Sequence, residues 1–225
     1  MILLAIDTAS SLCAACVYDS ATGRELGRAV LDLGKGHAEH LMSVVGDALS
    51  QAGIGFPALE RVVVAVGPGS FTGVRVGVAA ARGFAMALNI PAVGVTTLEA
   101  IAAEARERFG KTTVMAALDA GRGEINVALY DDAGAPLLEP VAVTLGEAAR
   151  LASDHAPLVA GSAAAAIAAE ANADLRVGTA GSTADIGIFA VIGAGKPVGD
   201  KPKPLYLRDA DAKPQAGFVL PRIPS

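Results

Sequence analysis

The chain has 225 residues, with 18 Lys and Arg against 23 Asp and Glu, giving a formal net charge of −5. Apolar residues make up 52% and charged residues 18%, a balance that excludes intrinsic disorder and allows one large domain or two small ones to bury a sizeable core. The pI near 5.2 argues against a protein that grips nucleic acid unaided, since that takes clustered Lys and Arg.

Met1 to Ile6 is apolar but has no basic residues, and Asp7 interrupts it. It reads as a buried strand, Ile2–Ile6, covered on both faces, rather than as a signal peptide. Ala14–Tyr18 follows as a second strand, and Thr22-Gly23 turns the chain into a third, Glu25–Leu33. Cys13 and Cys16 spell C-x-x-C, but positions three apart on a strand point to opposite faces, and there is no second pair to complete a zinc tetrahedron. They read as two small core thiols. Gly34-Lys-Gly36 breaks the pattern, and a helix runs from His37 to about Gln51, with Leu41, Val44, Val45, Ala48 and Leu49 at three- and four-residue spacing. Gly53 and Gly55 end it. Arg61–Val66 is another buried strand leading into Gly67-Pro-Gly-Ser-Phe-Thr-Gly73, and a second helix continues to about Leu88 with Val74, Val78, Ala81, Ala85 and Leu88 on one side.

The later half restarts in the same style. Val114–Leu118 is a buried strand ending in Asp119, as Ile2–Ile6 ends in Asp7. Glu124–Tyr130 and Val141–Thr144 are the next strands, and helices near Gly146–Ala152 and Ala163–Ala171 flank the strand Leu158–Ala160. Two β-β-β-α-β-α lobes define an α/β chain of the actin-like, sugar-kinase-like ATPase superfold. Residues 1–105 form the first lobe and 106–199 the second, and the Pro-rich tail, 200–225, packs back on the first. The apolar run Ile186–Ala194 is far short of the roughly 20 residues that span a bilayer. A cytoplasmic protein with no membrane partner is expected.

In that superfold the loops after the first strand of each lobe hold phosphates, and carboxylates position Mg or activate a hydroxyl. The first loop here, Asp7-Thr8-Ala-Ser-Ser11, has hydroxyls but no Gly. The second, Asp119-Ala-Gly-Arg122-Gly123, is richer in Gly and carries a cation. An Asp at a strand end is equally a turn cap. The segment Gly67–Gly77 is neither a Walker A loop nor a dinucleotide fingerprint. Gly67 and Gly69 bracket a tight turn, Ser70 and Thr72 can cap the next helix, and Arg75 in its first turn could help hold an anion, so Gly69, Ser70, Thr72, Gly73 and Arg75 are phosphate candidates. A plain strand-to-helix turn fits the same residues. His37 and His40 share a helix face and could ligate metal, but capping or interface roles suit them better. No G-x-S-x-G elbow or zincin helix occurs.

Ile6-Asp-Thr-Ala9, Gly67–Gly77, Gly94-Val-Thr-Thr-Leu98, Asp119-Ala120 with Gly123-Glu124, and Pro204-Leu-Tyr-Leu-Arg208 together resemble the TsaB (YeaZ) family over nearly the whole chain. The resemblance implies a partner of TsaD-like proteins that, with a TsaE-like ATPase, installs threonylcarbamoyl on adenosine 37 of tRNAs reading ANN codons. It further implies a non-catalytic scaffold subunit with no metal of its own, since TsaD-like proteins use an H-x-x-x-H pair and His37 and His40 are only three apart. ATP or ADP with Mg would belong at the complex interface, and tRNA would be reached only through the complex. Gly121 departs from the family, whose members often carry Arg after the Asp-Ala pair, with Arg122 adjacent.

The same resemblance implies that the first two long helices dock on TsaD, or on a second copy when the chain is alone. The contact residues are then His40, Leu41, Val44, Val45, Ala48, Val78, Ala81 and Ala85, although a pure core role for that face competes. The alternatives are a small phosphotransferase or ATPase using Asp7 and Asp119, and a peptidase-like protein.

Overall fold

A computed structural model describes residues 1–171 and 173–207. The first three strands, β1 (Ile2–Asp7), β2 (Leu12–Asp19) and β3 (Arg24–Asp32), form an antiparallel meander. Helix α1 (His37–Ala52) then crosses to β4 (Arg61–Ala65), which lies parallel to β1 with Ile6 beside Val64. Helix α2 (Phe71–Leu88) leads in the same way to β5 (Ala92–Val95), completing a five-stranded sheet of order β3-β2-β1-β4-β5.

The strands β1 and β4 are buried on both faces because helices cover both. Val64 points toward α2, where it meets Gly77, while Val63 points the other way, onto Gly193. Helix α1 ends at Gly53, whose φ of 67° is the left-handed cap that glycine adopts without strain.

Helix α3 (Thr97–Phe109), capped by the Thr96 hydroxyl, connects to the second lobe. There β6 (Val114–Gly121), β7 (Glu124–Tyr130) and β8 (Pro136–Thr144) repeat the meander, α4 (Leu145–His155) starts with a Thr144–Glu147 capping box, and β9 (Leu158–Ala160) pairs parallel to β6. Helix α5 (Ala164–Ala171) packs beside α4. The order β8-β7-β6-β9 repeats the first four strands of the other sheet. The paired β-β-β-α-β-α pattern anticipated from the sequence is therefore present. On one face of this sheet Met115, Ile125, Val127 and Leu129 pack under α4 and α5, while Ala116, Ala128 and Tyr130 on the other join the first lobe's core.

Helix α6 (Ile186–Gly195) corrects the division of the chain into lobes. Residues up to 199 were assigned to the second lobe, but α6 packs across β1, β2, β4 and β5 of the first sheet. Phe189 is fully buried there, which contributes about 2 kcal/mol. The Arg61 guanidinium donates to the carbonyls of Gly193, Ala194 and Lys196 and so closes the C-terminal end of α6. At its other end, Asp185 caps the helix and pairs with Arg28 of β3. Beyond α6, Pro202 is buried against Gly94 and the Leu205 amide donates to the Val66 carbonyl. The rest of the anticipated tail, residues 208–225, including Arg208, lies outside the described residues.

By length and composition α2 could cross a membrane. In this fold its Gly73, Val74, Gly77, Val78 and Ala81 are buried within the protein, and its outer side carries Arg75 and Arg82.

Candidate functional site

The Gly-rich segment before and inside α2 is a packing device. Gly69 and Gly73 pass so close to the loop after β1 that a Cβ on either would collide with the Ala9 or Thr8 carbonyl, and one on Gly77 would press on the Thr8 hydroxyl. The Ser70 amide donates to the Ala9 carbonyl (2.7 Å) and the Thr8 hydroxyl to the Gly73 carbonyl (2.7 Å). The Ser70 hydroxyl caps the helix by accepting from the Gly73 amide, and Val74 donates to the Ser70 carbonyl. Thr8, Gly69, Ser70 and Gly73 were candidates for cradling phosphate, and that reading is corrected here. The hydroxyls of Thr8 and Ser70 and the backbone of Ser70 and Gly73 are engaged in holding α2 onto the loop, and Thr8 is fully buried, while Gly69 and Ser70 remain exposed. Thr72 and Arg75 are exposed, and the Arg75 guanidinium lies 4.6 Å from the centre of the Phe71 ring, in cation–π geometry.

Asp7 is also enclosed. It is 1% exposed, accepts from the Ala9 amide (2.8 Å) and from the Thr183 hydroxyl (2.6 Å), and so ties the segment before α6 to the end of β1. Burial holds its carboxyl above the usual range, opposed by those two hydrogen bonds and by the nearby His37. His37 is itself buried, with no hydrogen-bond partner for its Nε2 among the described residues. His40, one turn later, is exposed, so the two histidines do not share a site.

The second loop is the β-hairpin turn between β6 and β7. Gly121, Arg122 and Gly123 have φ of 73°, 57° and 80°, the left-handed conformations that tight hairpins need. Asp119 accepts from the Gly121 amide (2.7 Å), and its own amide donates to Ser162. In the two loops the Ala9 amide is thus taken by Asp7 and the Gly121 amide by Asp119.

The helix residues expected to meet a partner need the main correction. Leu41, Val44, Val45 and Ala48 of α1, and Val78 and Ala81 of α2, are buried in this protein's own core. The apolar spacing that singled them out marks the stripe that each helix turns toward the sheet. Ala85 is half-buried and His40 is exposed.

The outward side consists of residues the periodicity passed over. Met42 is 56% exposed and Met86 is 81% exposed. Gly46 on α1 and Ala79 and Gly83 on α2 are also exposed, and a Cβ on Gly46 or Gly83 would meet nothing within 4 Å. Large methionines lying off the core stripe were the available signal. The outer charges are segregated, with Glu39 and Asp47 on α1 and Arg75 and Arg82 on α2.

The two cysteines are free and buried. Burial, and secondarily Asp7, pushes the Cys13 thiol up to about 11, and burial with Glu25 raises Cys16 as well.

This architecture is that of the actin-like ATPase and sugar-kinase superfold. A ROK family glucokinase from Streptomyces griseus superposes at a TM-score of 0.50 with 12% identity, covering 85% of this chain and 98% of that one. The family profile described as "TsaD: tRNA N6-adenosine threonylcarbamoyltransferase" matches residues 32–186. A Pseudomonas aeruginosa protein described as uncharacterized, with similarity to peptidase YeaZ, superposes at a TM-score of 0.77 with 25% identity, covering 92% of this chain and 99% of that one. The tRNA threonylcarbamoyladenosine biosynthesis protein TsaB of Escherichia coli is 36% identical over 131 residues, 58% of this chain and 55% of that protein. The match thus spans about half the length of that relative. An uncharacterized Mycobacterium tuberculosis protein is 36% identical over 217 residues, 95% of each chain. Within the broad group that the TsaD profile describes, the chain belongs to the TsaB (YeaZ) family.

Proposed function

We propose that this chain is a non-catalytic, partner-binding subunit in the biosynthesis of threonylcarbamoyladenosine on tRNA. It docks the outer side of α1 and α2 on a TsaD-like protein and orders that partner's active site for transfer to adenosine 37 of tRNAs reading ANN codons. The observation that carries this reading is the pair of exposed methionines, Met42 and Met86, on helices that also expose Gly46, Ala79 and Gly83. Small residues let a partner helix approach closely, and adaptable methionines fill what gaps remain. The closed loops at Asp7 and Gly67–Gly77 support the non-catalytic part, because a phosphotransferase would need Asp7 open to substrate.

On this reading a TsaE-like ATPase joins the assembly. ATP or ADP with Mg belongs at the complex interface, where the partner supplies the phosphate contacts. The same helix side closes a homodimer when the chain is alone, since acidic α1 of one copy suits basic α2 of the other. The test is co-purification with the TsaD-like protein of the same organism, followed by a reconstituted transfer assay with and without this chain. Transfer that proceeds equally well without it overturns the proposal.

A further inference from the structure

At the start of α2, the outer surface carries three stacked π systems. The ring of Tyr206 lies 5.3 Å from that of Phe71 at an interplanar angle of 36°, and the Arg75 guanidinium covers Phe71. Both rings stay open to solvent, Phe71 at 54% and Tyr206 at 49%. In a chain with aromatics at only 4%, two that are adjacent and exposed are not explained by core packing.

The charged residues of α2 and of residues 201–207 are all basic. No Asp or Glu occurs from residue 61 to residue 98, whereas Arg75 and Arg82 face outward from α2. Lys201 and Lys203 are exposed on the extended segment that delivers Tyr206, while Pro202 between them is buried, and Asp200 is the acid of that segment. A cationic strip beside stacked rings in a protein of net charge −5 is complementary to a polyanion that also offers flat faces. An acidic protein surface meets the first requirement but not the second.

We infer that Tyr206, Phe71 and Arg75 form a stacking platform for an unpaired base of RNA, with Lys201 and Lys203 alongside its phosphates. Such platforms bind by base–aromatic stacking and backbone charge, without reading sequence. The inference rests on the proposed role in tRNA modification and adds that this subunit touches the substrate itself. It places the contact at the N-terminal end of α2, beside the methionine-lined surface assigned to the partner.

The experiment uses the full chain co-purified with its TsaD-like partner and measures anisotropy of a labelled, unmodified transcript of a tRNA that reads an ANN codon. Tyr206→Ala should weaken binding about tenfold and Tyr206→Phe should leave it unchanged, since stacking needs the ring and not the hydroxyl. Lys203→Ala should lower the slope of log affinity against log salt by about one. Both positions are exposed, so the fold and partner co-purification should persist. Unchanged RNA affinity in Tyr206→Ala and Arg75→Glu complexes overturns the platform, as does loss of the partner with RNA affinity intact. If the wild-type complex neither binds nor modifies the transcript, the proposed function falls as well.

Discussion

Thr8 donates its side-chain hydroxyl to the Gly73 carbonyl across 2.7 Å, and with the Ser70 amide donating to the Ala9 carbonyl the loop after β1 and the first turn of α2 are in direct contact. This contact accounts for the glycines of the Gly67–Gly77 segment. Adding a methyl at Gly73 would drive it into the Thr8 carbonyl, whereas Gly83, later on the same helix, looks into open space. Gly73→Ala should therefore cost about 1–3 kcal/mol through overpacking. Gly83→Ala should gain about 0.5–1 kcal/mol from helix propensity. Urea unfolding of the isolated variants distinguishes them. If the outer side of α2 is the docking surface, the more stable Gly83→Ala protein should nonetheless bind the TsaD-like partner less well.

Charge placed on the two sides of α1 and α2 should have opposite consequences. Val44 is fully buried, so Val44→Glu should unfold the chain by burying an unpaired carboxylate. Met86→Glu should leave the melting temperature within a degree or two and abolish partner co-purification. A Met86→Glu protein that still binds its partner refutes the assignment of this surface.

Asp7 should make stability depend on pH in a direction opposite to the usual carboxylate. Its folded pKa is raised above 3.8 by burial, so in the window above 3.8 the folded state holds a proton that the unfolded state has lost. Stability from this group is full below 3.8 and declines as pH rises through the folded value. Asp185, whose carboxyl is held low mainly by its bond from Arg28 against the cost of burial, contributes the reverse, stability lost as pH falls. The Asp7 contribution is therefore isolated as the difference between wild type and Asp7→Asn. That difference should shift in favour of the variant as pH rises above 3.8, as read by denaturant midpoints. A pH-independent difference contradicts the assignment.

Cys13 and Cys16 should be inert in the folded protein. With the Cys13 thiol pushed up to about 11 and Cys16 also raised, almost no thiolate is present at pH 8. A chromogenic disulfide reagent should react with both only after denaturation. Prompt reaction of either thiol in buffer would show that the strand opens.

The paired lobes were legible in the sequence because β1, β4 and β6 are continuous apolar runs and α1 and α2 carry clear three- and four-residue spacing. Three elements were not. Strand β5 has four residues, one of them Gly94, too few to show alternation. Helix α3 mixes buried alanines with Glu104, Arg106 and Arg108, which blurs its stripe. Helix α6 contains Gly187, Gly193 and Gly195 and no polar side, so no period marks it and only its apolar length stood out. For the site, periodicity picked out the stripe that each of α1 and α2 buries in its own core. A recurring apolar spacing reports what a helix buries in its own domain, and a docking surface is what remains. The glycine signature was found, but its reason was invisible until Ala9 and Thr8 were seen against it.

Because α6 covers the first sheet although it lies after the whole second lobe in sequence, the first lobe is assembled from two distant stretches of polypeptide. During synthesis, β1, β2 and β4 leave the ribosome long before their second cover exists, and Val63 has nothing over it until Gly193 arrives. In the order of synthesis α6 is therefore a late addition to that face, secured by Arg61 at one end and Arg28 at the other, and Pro202 and Leu205 follow it onto the same lobe.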